Sequence, residues 1–212
     1  ERPERRYSAT YNSERVEFRR RDSQIETLME VFVSPEDDAE IRRLTFVNSA
    51  NQTRHLEITS YVELALAPHD SDRAHPAFSK LFVQTEAVPE RQALLAWRRS
   101  RSPEDATVWA GHVLAAENTN LKGLEFETDR ARFMGRGNGP EKPMALKRPL
   151  SGSTGAVLDP FFSLRCRLSV EPGQRAILAF ITIAAESRER LSELIEKYGE
   201  PAATSRGLVL CW

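Results

Sequence analysis

The stretch Ile25 to Val33, IETLMEVFV, alternates: Ile25, Thr27, Met29, Val31 and Val33 fall on one face of an extended chain. Period two is the signature of a strand with one buried side. IRRLTFV repeats it, with Leu44 and Phe46 sharing a face with Arg42. The polar turn SANQT then predicts an antiparallel hairpin between LTFVN and the next strand, HLEITSYVELAL at 55 to 66. There Leu56, Ile58 and Ser60 face one way and His55, Glu57 and Thr59 the other. KLFVQTE, QALLAWR, VWAGHVLAA, GLEFET, LRCRLSV and RAILAFITIAA supply further strands, with turns such as EPGQ at 171 to 174 between them. So many strands without alternating helices predict an all-β chain of antiparallel sheets packed face to face.

One helix interrupts that pattern. Ser187 is its N-cap, Leu191, Leu194, Ile195 and Tyr198 fall at helical spacing, and YGEP at 198 to 201 stops it. The chain therefore divides into a β-sandwich over 1–186 and a C-terminal helix with a linker over 187–212, leading toward a following module. The Gly-, Pro- and Ser-rich segment 135 to 155 reads as a long loop. The longest apolar run, AILAFITIAA at 176 to 185, is about half of what a membrane-spanning helix needs and reads as a buried strand. The N-terminal ERPERRYSAT carries no apolar signal region and no initiator Met, and SRGLVLCW stops abruptly. Both ends suit a piece excised from a longer protein.

With 30 basic and 31 acidic residues the net charge is -1, so no overall field draws the chain to nucleic acid or anionic lipid. RRRD at 19 to 22 and WRRSR at 97 to 101 have acidic neighbours and read as solvated faces. Cys166 and Cys211 are the only cysteines, which disfavours a disulfide framework or structural zinc and suits a reducing compartment.

Three constellations invite a chemical reading. His69, Asp70, Asp72 and His75 crowd together, but the spacing matches no zinc or calcium pattern. His75 before Pro76 is biased toward an extended conformation, and Phe78, Leu81 and Phe82 can anchor a structured loop leading into a strand. RFMGRGNGP looks like a phosphate cradle, yet Pro140 and Pro143 follow where a helix is required, so Gly135, Gly137 and Gly139 read as turn formers. Arg132 and Arg136 remain ligand donors. No GxSxG elbow is present, and the pairs Glu125/Glu127 and Asp37/Asp38 sit at intervals any solvated surface shows. No catalytic residue, metal ligand or cofactor site follows from these patterns. Among the aromatic residues, Trp97, Trp109, Phe78, Tyr61 and Phe126 offer flat faces of the kind that stack on sugar rings. If a sugar binds, stacking is expected on Trp97 or Trp109 and polar contacts from Arg130, Arg132 or Arg136.

Five segments together carry a resemblance: SPEDDAEIRRLTFVN at 34 to 48, LEITSYVELALAP at 56 to 68, AHPAFSKLFVQTE at 74 to 86, FETDRARFMGRG at 126 to 137 and PLSGSTGAVLDP at 149 to 160. They resemble the β-sandwich region that precedes the helical barrel in the cellobiose and chitobiose phosphorylase group, and most closely that of the cyclic β-1,2-glucan synthases. The resemblance runs from Val16 to Tyr198. It implies an antiparallel supersandwich of two packed sheets, like that of galactose mutarotase. It also implies a parent glycosyltransferase in the bacterial inner membrane that polymerises glucose from UDP-glucose, with phosphorylase-like modules. The present piece would be a soluble, cytoplasm-facing, noncatalytic carbohydrate-binding module. Its partners would be a glucan oligosaccharide or polysaccharide, neighbouring modules of the parent chain and a second copy of itself. Family catalytic acids lie in the following barrel, so none is carried over.

Two alternatives stand beside this expectation. A purely structural domain would pack against a neighbouring barrel or a second copy and leave Phe78 and Leu81 exposed. An enzyme with mutarotase-like chemistry would need a carboxylate converging with His55, His75 or His112 on a concave sheet.

Overall fold

A computed structural model describes residues 6–99, 108–117 and 119–210. The strands are β1 (Arg6–Tyr11), β2 (Val16–Asp22), β3 (Ile25–Val33), β4 (Ala39–Asn48), β5 (Arg54–Thr59), β6 (Val62–Glu63), β7 (Val83–Val88), β8 (Ala93–Arg98), β9 (Trp109–Glu117), β10 (Lys122–Asp129), β11 (Pro160–Val170) and β12 (Arg175–Ala185). The helices are α1 (His69–Ala74), α2 (Pro76–Lys80), α3 (Arg130–Met134), α4 (Arg188–Gly199) and α5 (Pro201–Leu210). One sheet holds eight strands in the order β1-β2-β3-β4-β12-β9-β8-β7, and the other holds β10-β11-β5 with β6 beside β11. Every strand pair is antiparallel, so the expected two-sheet antiparallel architecture is present.

Alternation assigns each residue to a layer. On the inner face of the large sheet Phe46, Ala176, Leu178, Phe180 and Leu114 meet Phe162, Leu164, Cys166 and Leu168 of β11 in one buried cluster. On its outer face Ile41, Val113, Ile181 and Ile183 meet Leu191, Leu194, Ile195 and Tyr198 of α4 in a second cluster. β12 is buried on both faces, which explains why its sequence is apolar throughout rather than alternating.

α4 begins where expected: the Ser187 hydroxyl oxygen accepts the Arg190 N–H at 3.1 Å. Gly111 lets the helix lie close, because a Cβ there would stand 2.8 Å from Leu191 Cδ1. Asp37 in the β3–β4 loop fastens the helix further. It accepts from Lys197 at 2.6 Å, Arg190 at 2.9 Å and the Tyr198 hydroxyl at 2.9 Å.

The smaller sheet does not cover the larger one completely. β1 and β2 lie outside the inner cluster, so one face of the large sheet overhangs. Burial along β3 therefore changes side. Ile25 is buried in the inner cluster, whereas Val33, on the same face, is 63% exposed and its neighbour Phe32 is buried beneath the helical layer.

The turn 49–53 does not close a hairpin. β4 pairs with β3 and β12, while β5 pairs with β11 in the other sheet. The cause is Asn48, fully buried at the corner: its amide donates to Gln52 O at 2.9 Å and Val170 O at 2.8 Å, and its oxygen accepts the Ala50 N–H at 2.9 Å. The strand expected over 55 to 66 breaks likewise at Ser60, whose N–H goes to Leu164 O at 2.9 Å. The segment around His69 and His75 forms two short helices, and α1 buries none of its residues. Beyond YGEP the chain continues into α5.

Candidate functional site

Odd-numbered residues of β11 point away from the inner cluster, and on that outer face of the small sheet Arg165 pairs with Glu125 of β10 and Thr59 of β5. Arg165 is 1% exposed yet fully engaged. It donates to Thr59 Oγ1 at 3.0 Å, Arg148 O at 3.0 Å and Ala145 O at 2.6 Å, with Glu57 and Glu125 each at 3.4 Å. Arg167 bridges the same two carboxylates at 2.9 and 2.6 Å. Burial pushes Glu125 up, but the Leu150 N–H and the two guanidiniums outweigh it and hold its carboxyl below the usual range.

This network fastens the long loop over the sheet. Arg165 holds the carbonyls of residues 145 and 148, and Glu125 accepts the Leu150 N–H at 3.0 Å. Glu127, itself buried, accepts the N–H groups of Thr128 and Asp129 at 3.0 Å each, the Ser151 N–H at 3.2 Å and the Ser151 hydroxyl. A buried arginine and a buried glutamate are thus fully hydrogen-bonded, as the cost of burying charge requires.

Two hollows result on this surface. One, of about 300 Å³, has Phe133, Pro149 and Leu150 as apolar wall and Glu127, Arg132 and Arg148 as polar rim. The other, of about 380 Å³, contains Arg130, Arg136, Asn138 and Asp159. Apolar walls with a few fixed polar groups are the make-up of small-ligand sites.

The three arginines named from the sequence play different parts here. Arg130 is a structural knot: its Nε donates to the Tyr61 hydroxyl at 2.6 Å, its Nη1 to Asp159 at 3.0 Å, and Glu63 lies 3.3 Å away. The Tyr61 oxygen and then Asp159 raise its already high pKa. Asp159 also binds Lys80 of α2 at 2.6 Å. Arg132 is largely exposed on the rim of the first hollow, with Asp129 at 3.5 Å. Arg136 stands exposed on the second and, among the described residues, has no ion-pair partner.

Trp97 and Trp109 lie elsewhere. They face each other across β8 and β9, on the outer side of the large sheet that carries α4. Their rings stack at 5.0 Å and 20°, and Arg188 lies 5.7 Å over Trp109 while binding Glu86 through two hydrogen bonds at 2.8 and 2.7 Å. The sandwich separates this pair from the three arginines, so the structure does not gather the five residues into one site.

The histidines are dispersed. His55 Nδ1 shares a hydrogen bond with Ser169 at 2.9 Å, and His75 stands at the N-terminal boundary of α2, where its ring makes no capping hydrogen bond. His112 is 1% exposed, lies nearly parallel to Phe162 and Phe180, and bonds Ser60 Oγ at 2.8 Å and Thr182 Oγ1 at 3.2 Å. Burial, reinforced by the charge of Arg42, pushes it down to about 3, so the ring is neutral. Among the described residues no three His, Cys, Asp or Glu side chains converge as a metal site would require.

Sequence reasoning missed the overhanging face. Tyr7 and Tyr11 there are 64% and 73% exposed, and Tyr11 meets Phe18 edge-on at 6.5 Å. The signal was the alternation of Tyr7, Ala9 and Tyr11 in RYSATY.

Comparison with known proteins agrees with this architecture. The chain is 33% identical over 204 residues to the cyclic beta-(1,2)-glucan synthase NdvB of Rhizobium meliloti (strain 1021), covering 95% of this chain and 7% of that one. It is 25% identical over 172 residues to the solabiose phosphorylase of Paenibacillus borealis, covering 81% and 21%. Among solved structures a polysaccharide lyase superposes with a TM-score of 0.49 at 13% identity, covering 84% of this chain and 23% of that one. The chain thus spans less than a quarter of each relative. The model of the glycosyl hydrolase 94 supersandwich domain matches residues 1–201, and the chain belongs to that family.

Proposed function

We propose that this domain is a noncatalytic module of a longer glucan-synthesising protein, in which it holds or orients the glucan beside the modules that perform the chemistry. The observation that carries the reading is that one domain type recurs in a cyclic beta-(1,2)-glucan synthase and a solabiose phosphorylase. The activities in those two names differ, while both names are those of proteins that act on a sugar. We assign the glucan to the loop-covered face of the small sheet, where Arg132, Arg136 and Arg148 border the two hollows. Trp97 and Trp109 are the second choice, because each already spends one ring face on the other. No helix among the described residues is long and apolar enough to cross a membrane. We place the domain on the cytoplasmic side of a membrane-bound parent.

Isothermal titration of the chain with linear and cyclic β-1,2-glucans, and with a cellulose-derived oligosaccharide as control, tests the reading. Binding of the β-1,2 chains, weakened at least about tenfold in Arg132→Ala/Arg136→Ala, is expected for loss of two charged donors. Absence of heat with every glucan leaves a scaffold role.

That scaffold role is favoured by one specific observation. Phe78 and Leu81 on and beside α2 are exposed, as is Leu158 next to Asp159, which Lys80 binds. An apolar patch of this kind suits another domain of the parent chain. Light scattering checks this second reading: self-association that Phe78→Ser/Leu81→Ser abolishes supports it, and a monomer indifferent to the change opposes it.

A further inference from the structure

We propose that the free edge of β1 pairs with β1 of a second copy of this chain. β1 bounds the large sheet and pairs with β2 in an unbroken register from Arg6↔Arg21 to Tyr11↔Val16. The opposite edge is closed, because Thr85 of β7 exchanges backbone hydrogen bonds with Gly155 at 3.0 and 2.8 Å. β1 has no such guard among the described residues. It contains no proline, lysine or bulge, and the centre, Ser8 to Thr10, carries no charge. Sheet proteins normally protect an edge of this length by one of those devices, since its unpaired N–H and C=O groups are a template for another strand.

The occupant follows from symmetry. Two antiparallel copies in one sheet are related by a two-fold axis perpendicular to it, so residues face each other only where their numbers sum to an even value. An axis at Ala9 sets Ala9 against itself, Ser8 against Thr10 twice, and Tyr7 against Tyr11 twice. Both tyrosines lie on the overhanging face with their rings exposed, and no like charges meet. Cross-strand aromatic pairs of this kind stabilise a ladder. Only this axis pairs both tyrosines within β1: moving it to Ser8 or to Thr10 sets one tyrosine against Ala9 and carries the other past the end of the strand. The strand is therefore complementary to itself in one register, and a foreign strand would have to match it by chance. The paired area is small, so the dimer is weak and concentration-dependent. The inference does not depend on glucan binding.

The test uses cross-linking of the 212-residue chain. Residues directly opposite across antiparallel strands have Cα atoms about 4.5–5.5 Å apart, within reach of a disulfide. Under oxidised glutathione Ala9→Cys is expected to give a linked dimer at least about tenfold faster than Ser8→Cys, whose equivalent lies two residues along the partner strand from the position it faces. Every chain in the test carries Cys211→Ser, so that the one remaining native cysteine is the buried Cys166 and the chain without an added cysteine supplies the background. Sedimentation at up to about 1 mM, where small contacts associate, is expected to show a dimer whose Kd rises at least about tenfold in Tyr7→Lys/Tyr11→Lys. Both side chains are exposed, and an unchanged circular dichroism spectrum verifies the fold. Equal cross-linking at positions 8 and 9, a monomer throughout the range, or a dimer lost with Phe78→Asp but not with the lysine pair overturns the proposal.

Discussion

His112 is held flat between Phe162 and Phe180 with no water-facing edge, and its pKa of about 3 lies well below the ordinary 6.5. Below pH 6.5 the unfolded chain takes up a proton that the folded chain refuses, so this group erodes stability as pH falls toward 3, by roughly 1.4 kcal/mol per unit. Denaturant titrations between pH 7 and 5 should show that slope in the parent chain and lose it in His112→Gln, which keeps a hydrogen-bonding group near Ser60 and Thr182. An unchanged slope would mean that the histidine is hydrated and free to ionise. Arg165 carries the converse lesson. Arg165→Met leaves the loop carbonyls of Ala145 and Arg148 without their donor, while Glu125 keeps Arg167 and the Leu150 N–H, and chemical denaturation should report a loss of about 2–5 kcal/mol. A smaller loss would show that the loop finds water in its place. Both residues were partly legible: alternation puts His112 beside Leu114 and Arg165 opposite Cys166. What alternation omits is the third dimension, namely the aromatic rings above His112 and the loop 130–151 that covers Arg165.

α4 is part of the sandwich. Its Leu191, Leu194, Ile195 and Tyr198 close the outer cluster, and Asp37 ties three of its side chains to the β3–β4 loop. Leu194→Ala should cost about 2–5 kcal/mol in denaturant unfolding, the range for a large-to-small change in a packed core. Ending the chain at 186 should uncover Ile41, Val113, Ile181 and Ile183 together and give insoluble protein. Soluble, cooperatively unfolding protein of that length would contradict the assignment of α4 to the fold. Asp37 adds a pH signature. Burial raises its pKa, but Lys197, Tyr198 and Arg190 more than offset that and depress it. Its contribution is therefore present above the usual carboxylate range and lost as acid protonates it. The helix was readable from its cap and its i, i+3, i+4 spacing. α1 was not, because a helix with no buried residue leaves no periodicity to read. The corner at Asn48 was hidden for a related reason: a short polar turn looks the same whether it closes a hairpin or carries the chain between sheets.

At the scale of the molecule, the two-sheet antiparallel class follows from patterns local to each strand, alternation in β3 and β4 and a continuous apolar run in β12, which is buried on both faces. The mutual placement of distant residues does not. Trp97 and Trp109 share a ladder rung on one outer face, whereas Arg130 and Arg132 of α3, with Arg136 just beyond it, sit over the other. No spacing in the chain encodes which outer face a strand presents once it changes sheets. Under the proposed function a glucan has two unlike surfaces to choose between, one an apolar-walled pair of hollows rimmed by arginines and the other a self-stacked tryptophan pair beside α4. Amide NMR of the 24.0 kDa chain titrated with a β-1,2-linked gluco-oligosaccharide distinguishes them and detects weak binding. Shift changes clustered at residues 130–151, with no acceleration of anomer interconversion in the sugar, are the predicted result. No perturbation at millimolar sugar, or turnover of the sugar by the domain itself, would contradict a noncatalytic glucan-holding module.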